Sequence, residues 1–342
     1  MRLIVREDPD ATATYVANYI ATRIKEHYSS SNRPFVLGLP TGGSPIGVYK
    51  KLVQKYKAGE ISFHNVITFN MDEYVGLPRD HPQSYHSFMW QNFLSHVNLH
   101  PENVHILNGN APDLEAECMQ FEAAIEAVGG IDLFLAGIGE DGHIAFNEPG
   151  SSLASRTRVK TLAYDTILAN SRYFNNDLDQ VPKMALTVGV QTVLDAREVV
   201  TIALGARKAI ALQKCVEGGV NHMWTLSGLQ LHRHSMIVAD EDATLELQVK
   251  TVKYFKSIEQ IAKTEGMDQT VPRSLRHRCS SKSPNPAPDK QNSKSANILN
   301  PRGQTPSFLG DSQILGKSIS RGITPEPVLD SMGSRVHRGI LA

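Results

Sequence analysis

Cysteine is scarce in this 342-residue sequence: only Cys118, Cys215 and Cys279 occur. Being far apart and odd in number, they suggest neither a disulfide framework nor a CxxC metal site, and they suit a reducing compartment. Long apolar runs are missing too. No uncharged stretch reaches the about 18 residues that a membrane-spanning helix needs. The N-terminal "MRLIVREDPDATATYVANYIA" is interrupted by charge too soon for a secretory signal. Net charge is also absent, with Lys+Arg and Asp+Glu at 35 each. No global field therefore favours nucleic acid or an anionic membrane. Walker A, GxGxxG and HExxH patterns are lacking, so neither a nucleotide nor a catalytic zinc is specifically indicated. The expectation is a soluble, cytoplasmic protein without nucleic-acid or membrane partners.

What is present divides into a body and a tail. From Arg273 onward Ser, Pro, Asn and basic residues dominate, and apolar periodicity stops. Residues 273–342 hold 4 Lys and 7 Arg against 3 Asp and 1 Glu, a formal +7, which leaves −7 on residues 1–272. Such a tail has too little apolar area to offset the entropy of ordering it, and it reads as a disordered extension. Its Ser-Pro and Thr-Pro pairs (Ser283-Pro284, Thr305-Pro306, Thr324-Pro325) are either phosphorylation sites or incidental. The body alternates apolar runs of strand length, "RLIV", "FVLGL", "VITFN", "IDLFLAGIG" and "REVVTIALG", with amphipathic helical stretches. One of these, "DATATYVANYIATRIKEHY", has Asp10 as its expected N-cap. Near-continuous apolar strands between helices predict an α/β fold: a Rossmann-like, mostly parallel sheet with helices on both faces. Ligands of such sheets bind beyond the carboxyl ends of the strands, where the strand order switches.

The post-strand loops therefore carry the functional reading. "PTGGSPIG" follows "FVLGL", and Thr41, Gly42, Gly43 and Ser44 precede a helix start. That arrangement suits an anion, though a plain strand-to-helix turn also fits. "MDEYVGL" follows "VITFN" and presents adjacent Asp72 and Glu73. Asp72 is either a general base with a raised pKa or a helix N-cap. "GIGEDGHIAFNEPG" places Glu140, Asp141, His143 and Glu148 among Gly137, Gly139 and Gly142. An imidazole oriented by carboxylates passes protons near neutral pH, and this density of ionisable groups favours function over a structural His-Asp pair. With a single histidine here, no metal is expected. Arg172 and Lys208 are cations at strand ends, suited to a phosphate but by themselves also compatible with a solvated surface. Cys215 reads as core packing. "TLSGLQLH", with His232 and the following His234, reads as a helix end or subunit contact.

Five stretches in order, "LGLPTGGSPIGVYKKL", "TFNMDEYVGL", "LFLAGIGEDGHIAFNEPGSS", "TVGVQTV" and "GARKA", resemble the glucosamine-6-phosphate deaminase family over about residues 1–266. The tail lies outside that pattern. The resemblance implies conversion of D-glucosamine 6-phosphate and water into D-fructose 6-phosphate and ammonia, with no cofactor. It implies that His143 opens the sugar ring, that Asp141 and Glu148 flank and orient the imidazole, and that Asp72 moves the C2 proton to C1. It assigns the phosphate to Thr41, Gly42 and Gly43 with Arg172 and Lys208. It further implies a homohexamer with a second site for N-acetylglucosamine 6-phosphate, matched here by Ser151, Arg158, Lys160, Thr161 and Tyr254, and a mobile lid over about 160–185. Glu140 receives no role and is expected to face solvent.

Two rivals share parts of this pattern. A 6-phosphogluconolactonase-like hydrolase has a similar histidine loop but no call for a C2 base, and "NMDEYVG" and "FNEPG" speak for the deaminase. A non-catalytic sugar-phosphate sensor would not need a positioned acid–base set.

Overall fold

All five apolar runs become strands of one parallel sheet in the computed structural model, which describes residues 1–266. The body-and-tail boundary and the character of residues 273–342 lie outside the described residues. The chain opens with β1 (Arg2–Arg6), α1 (Pro9–Ser30), β2 (Phe35–Leu39), α2 (Ile46–Lys57), β3 (Val66–Asn70) and β4 (Asp72–Tyr74). Next come α3 (Tyr85–Asn92), β5 (Val104–His105), α4 (Leu114–Ala127), β6 (Leu133–Gly137), β7 (Arg158–Thr161) and α5 (Tyr164–Ser171). It continues through β8 (Met184–Thr187), α6 (Val190–Leu194), β9 (Glu198–Ala203), α7 (Ala209–Val216), β10 (Ser235–Asp240) and α8 (Val249–Thr264).

Seven strands pair in the order β1-β10-β9-β6-β2-β3-β5, every neighbouring pair parallel. Successive side chains alternate faces, so each strand feeds two cores. On one face Leu37, Leu135 and Ile202 meet Ile20 of α1, Leu52 of α2 and Met89 of α3. On the other, Val36, Phe134 and Ile237 meet Phe121 of α4 and Leu212 of α7. Cys215 is fully buried in this second core, as its apolar setting predicts. Each such Leu, Ile or Phe removed from water contributes about 1.5–3 kcal/mol. The doubly covered sheet accounts for the apolar runs.

One helix start differs from expectation. Asp8, not Asp10, caps α1: its Oδ1 accepts the Ala11 N–H at 2.8 Å. Pro9 occupies the first helical position, where its fixed φ fits and its missing N–H is not needed, so the helix begins two residues early. Asp10 instead pairs with Lys51 of α2 at 2.9 Å.

A second, three-stranded antiparallel sheet, β4-β8-β7, was not anticipated. Asp72 pairs with Thr187 there, and Thr187 pairs in turn with Arg158. Tyr74, Phe146, Leu162, Phe174, Val181 and Ala185 form a small satellite core against it. The segment 160–185 is thinly anchored by comparison with the main sheet, and α5 leaves Tyr164 and Leu168 exposed.

Candidate active site

The strand order reverses beside β2. From β2 the chain moves outward to β3 and β5, then returns to β6 on the other side and continues to β9 and β10. The crevice between the carboxyl ends of β2 and β6 is therefore the topological switch point of the sheet. The Thr41 turn leaves β2 and the His143 loop leaves β6, so both flank that crevice.

His143 sits in a loop folded tightly on itself. Its Nδ1 is 2.6 Å from Asp141 Oδ1, and its own N–H donates to the same oxygen at 3.2 Å. The Nδ1 approach falls short of aligned hydrogen-bond geometry, so the pair is a close contact rather than a linear bond. Gly139 is required here: a Cβ would lie 2.4 Å from the imidazole. Burial acts to raise the Asp141 carboxyl, but the adjacent His143 ring, its charge and its backbone N–H outweigh it and hold it below the usual range. The imidazole is 27% and the Asp141 side chain 41% exposed, so this pair works in contact with water.

Glu148 is placed differently from expectation. No ion pair joins it to His143 among the described residues. Its carboxylate instead accepts the Ala163 N–H at 2.9 and 3.1 Å and the Thr166 hydroxyl at 2.5 Å. The cause is local: Ala163 is the N-cap of α5 and offers no side-chain acceptor, so Glu148 supplies one. Glu148 thus ties the histidine loop to the segment 160–185.

Asp72 lies in a much drier setting, 7% exposed on β4. Its Oδ1 is buried and makes no hydrogen bond within the described residues. Desolvation, with the neighbouring Glu73 charge adding to it, pushes this carboxyl up to about 8. The N-cap alternative for Asp72 does not hold, since it caps no helix. Glu73 does so, at the start of α3.

The expected anion-binding groups fall in the turns after β2 and β9 and at the end of α5. In the Thr41 turn, Gly42 has φ +94, a conformation that glycine adopts freely. The N–H groups of Gly42, Gly43 and Ser44 make no backbone hydrogen bond among the described residues, and α2 has no side-chain N-cap. Lys208 ends the short 3-10 turn after β9, whose entry is fixed by Asp240 accepting the Gly205 N–H at 2.9 Å from both oxygens. Burial lowers the Lys208 ammonium, the charges of Glu140 and Asp141 oppose this, and those of Arg172 and Arg207 add to it. Arg172 and Lys208 are therefore neighbours in space, although 36 positions separate them in the sequence. Glu140 is exposed, as expected.

The five residues expected at a second site are only partly gathered. Ser151 is buried with an unpartnered hydroxyl, and Arg158 of β7 donates to Asn147 Oδ1 at 2.9 Å. Lys160 and Thr161 follow on the same strand. Tyr254 is exposed on α8, a helix tied to β1 through the Arg6–Glu259 ion pair at 2.6 Å, and no described contact joins it to the other four.

Several supporting residues escaped the sequence reading. Thr225 of "TLSGLQLH" donates to the Asn147 carbonyl at 2.6 Å and accepts the Ile144 N–H at 3.3 Å. That stretch is a 3-10 helix, Thr225–Leu231, that ends at His232 as expected, and its first residue braces the histidine loop. Asn147 fixes the same loop through its bonds to the Ile144 and Val188 carbonyls at 2.8 and 2.9 Å. Helical or strand periodicity carries no signal for such contacts, which join residues 40–80 positions apart.

A buried carboxyl, a histidine–carboxylate pair and a glycine turn with free N–H groups, gathered at the ends of the strands of a doubly wound sheet, are the features of an α/β enzyme. The family profile described as glucosamine-6-phosphate isomerases/6-phosphogluconolactonase matches residues 7–238, and the chain belongs to that family. Glucosamine-6-phosphate deaminase of Phocaeicola vulgatus is 62% identical over 259 residues, covering 76% of this chain and 98% of the relative. Glucosamine-6-phosphate deaminase 1 of Homo sapiens is 63% identical over 258 residues, 75% of this chain and 89% of the relative. Among solved structures, a monomeric glucosamine-6-phosphate deaminase superposes with a TM-score of 0.69 at 40% identity, covering 72% of this chain and all of that one. The 6-phosphogluconolactonase of Trypanosoma cruzi shares the fold, with a TM-score of 0.57 at 18% identity over 72% of this chain and 97% of its own.

Proposed function

We propose that the protein converts D-glucosamine 6-phosphate and water into D-fructose 6-phosphate and ammonia, a step of amino-sugar catabolism. The observation that carries this reading is Asp72: a lactone hydrolase has no use for a buried carboxyl that keeps an unpartnered oxygen among the described residues and is raised to about 8. A general base works best when its pKa is close to the working pH. The 62–63% identity to named deaminases over three quarters of the chain supports the same substrate.

In this reading the phosphate rests on the Thr41–Gly42–Gly43 turn and meets Arg172 and Lys208. His143, oriented by Asp141, passes the proton of the anomeric hydroxyl to the ring oxygen, which opens the ring. Asp72 takes the C2 proton, giving an enolamine, and returns it to C1, leaving an iminium carbon at C2. Water adds to that carbon and the nitrogen departs as ammonia. Glu148 joins the imidazole when its hold on α5 is released, which links ring opening to movement of the 160–185 lid. No step calls for a metal or organic cofactor.

The regulatory part of the proposal is a second site for N-acetylglucosamine 6-phosphate built from Ser151, Arg158, Lys160 and Thr161. Tyr254, remote from the other four, is then contributed across a subunit contact in a hexamer. The free, buried thiols Cys118 and Cys215 suit a reducing, cytoplasmic setting.

Incubation with glucosamine 6-phosphate, with ammonia and fructose 6-phosphate assayed together, tests the reading. Equimolar release supports it. Activity confined to 6-phosphogluconolactone overturns it in favour of the hydrolase, and binding without turnover overturns it in favour of a sensor. Titration with N-acetylglucosamine 6-phosphate at a mass fixed by light scattering tests the regulatory part.

A further inference from the structure

Asp72 and Glu73 are neighbours in sequence with opposite surroundings. Adjacent strand residues point to opposite faces, so on β4 only one of them can face the crevice. Asp72 keeps an unpartnered oxygen. The Glu73 carboxylate is fully engaged: Oε1 accepts the N–H groups of Tyr74 at 2.8 Å and Tyr85 at 2.9 Å, and Oε2 accepts that of His86 at 2.9 Å.

Tyr85 and His86 are the first two residues of α3, whose N–H groups have no intrahelical acceptor. The Ser84 hydroxyl accepts the third, Ser87, at 3.0 Å. A buried carboxylate from the base-bearing strand thus closes the start of α3. That start matters because Tyr85 touches three parts of the site. Its ring lies 4.8 Å from that of Tyr74 and stacks at 7° on Phe146 in the histidine loop. Its hydroxyl lies within electrostatic reach of the side chains of Tyr74 and of Thr41 in the glycine turn.

We propose that Glu73 is a positioning residue of the reaction, holding Asp72 through the β4–α3 clamp and aligning the phosphate turn and histidine loop with it through Tyr85. This rests on the deaminase reading above.

The titratable neighbours of Asp72 among the described residues are Glu73 on its own strand, Tyr49 from α2, Tyr74 from β4 and Tyr85 from α3. Burial raises all three phenols above their ordinary value, so they stay neutral where Asp72 titrates. Glu73 is the one charged neighbour among them, and its negative charge adds to desolvation in raising Asp72. As a base Asp72 works ionised, so kcat/KM falls as pH drops through its pKa. Removing the Glu73 charge therefore moves that limb toward lower pH.

Two variants test this, each read by kcat, KM, the acid limb of kcat/KM and Tm. Glu73→Gln removes the charge and spoils at least one of the three bonds. It is expected to lower kcat about tenfold and move the acid limb down by about 0.5–1 pH unit. Glu73→Asp keeps the charge but is one methylene short of α3; it is expected to lower kcat severalfold with the limb near its parental position. A Gln variant with parental kcat and limb overturns the proposal, as does a lower Tm with kinetics unchanged. Should the Gln variant fail to fold, Glu73→Asp decides: kcat within twofold of the parent overturns the proposal. Turnover of glucosamine 6-phosphate by the parent enzyme checks the deaminase reading separately, so failure of one is distinguishable from failure of the other.

Discussion

The two groups proposed to move protons, Asp72 and His143, have opposite kinds of surroundings. Asp72 sits on a strand of the small sheet, 7% exposed and with an oxygen that makes no hydrogen bond among the described residues. His143 sits on a glycine-rich loop, over a quarter exposed, beside a carboxylate held below its usual range. The difference follows from the tasks. Taking a proton from carbon needs a strong base, and desolvation makes a carboxylate strong. Moving a proton between two sugar oxygens needs a group that both gives and accepts, and the one proposed here, His143, stands in contact with water beside Asp141. The rigid strand fixes the first, and a close-packed loop orients the second.

The sharpest way to break the comparison is to neutralise the dry side. Asp72→Asn is expected to lower kcat about 10³-fold while substrate binding survives. Its stability carries a second signature. A carboxyl whose folded pKa is raised from 3.8 to about 8 contributes stability below the lower value that is lost as pH rises through the higher one. The uncharged Asn escapes that loss, so the variant's Tm is expected to exceed the parent's by on the order of 5 °C at pH 9 and to match it near pH 4. Calorimetry at both pH values reads this directly.

On the wet side, Gly139→Ala drives a methyl into the imidazole, 2.4 Å away. The expected result is about a 10²-fold loss of kcat/KM on the cyclic substrate, with far-UV circular dichroism unchanged. Lys208→Ala touches neither proton-handling group but removes a cation from the anion side of the crevice. A rise in KM of about 10–100-fold with kcat little changed is expected from steady-state kinetics. Removal of residues 273–342 is expected to leave kcat and KM within about twofold of the full chain, since every residue of the proposed site precedes them in the sequence.

The main sheet was legible because its strands are buried on both faces, so "FVLGL" and "VITFN" show as unbroken apolar runs. The loops beyond those runs could be located for the same reason. The small sheet was not legible: β4 has three residues, and its partner Thr187 is 115 positions from Asp72. Period-two patterning cannot be read from so short a strand. Likewise "DEY" offered two carboxylates and two roles, base and helix cap. The residues fitted both, and only the pairing of β4 showed that Asp72 stays free while Glu73 caps α3. Asp141 could be placed beside His143 because only Gly142 separates them in a tight turn. Glu148 was misplaced because the uncapped start of α5, which claims its carboxylate, is invisible until Ala163 is known to be the cap.

The measurement that bears most directly on this division of labour pairs His143→Gln with Asp72→Asn on two substrates. One is cyclic glucosamine 6-phosphate. The other is an analogue lacking the 4- and 5-hydroxyls, which cannot cyclise. Exchange of the C2 hydrogen is followed in D2O by proton NMR. The account predicts that His143→Gln loses about 10²-fold on the cyclic substrate and little on the open one, while Asp72→Asn loses exchange on both. Equal losses on the two substrates for His143→Gln, or normal exchange in Asp72→Asn, would contradict it.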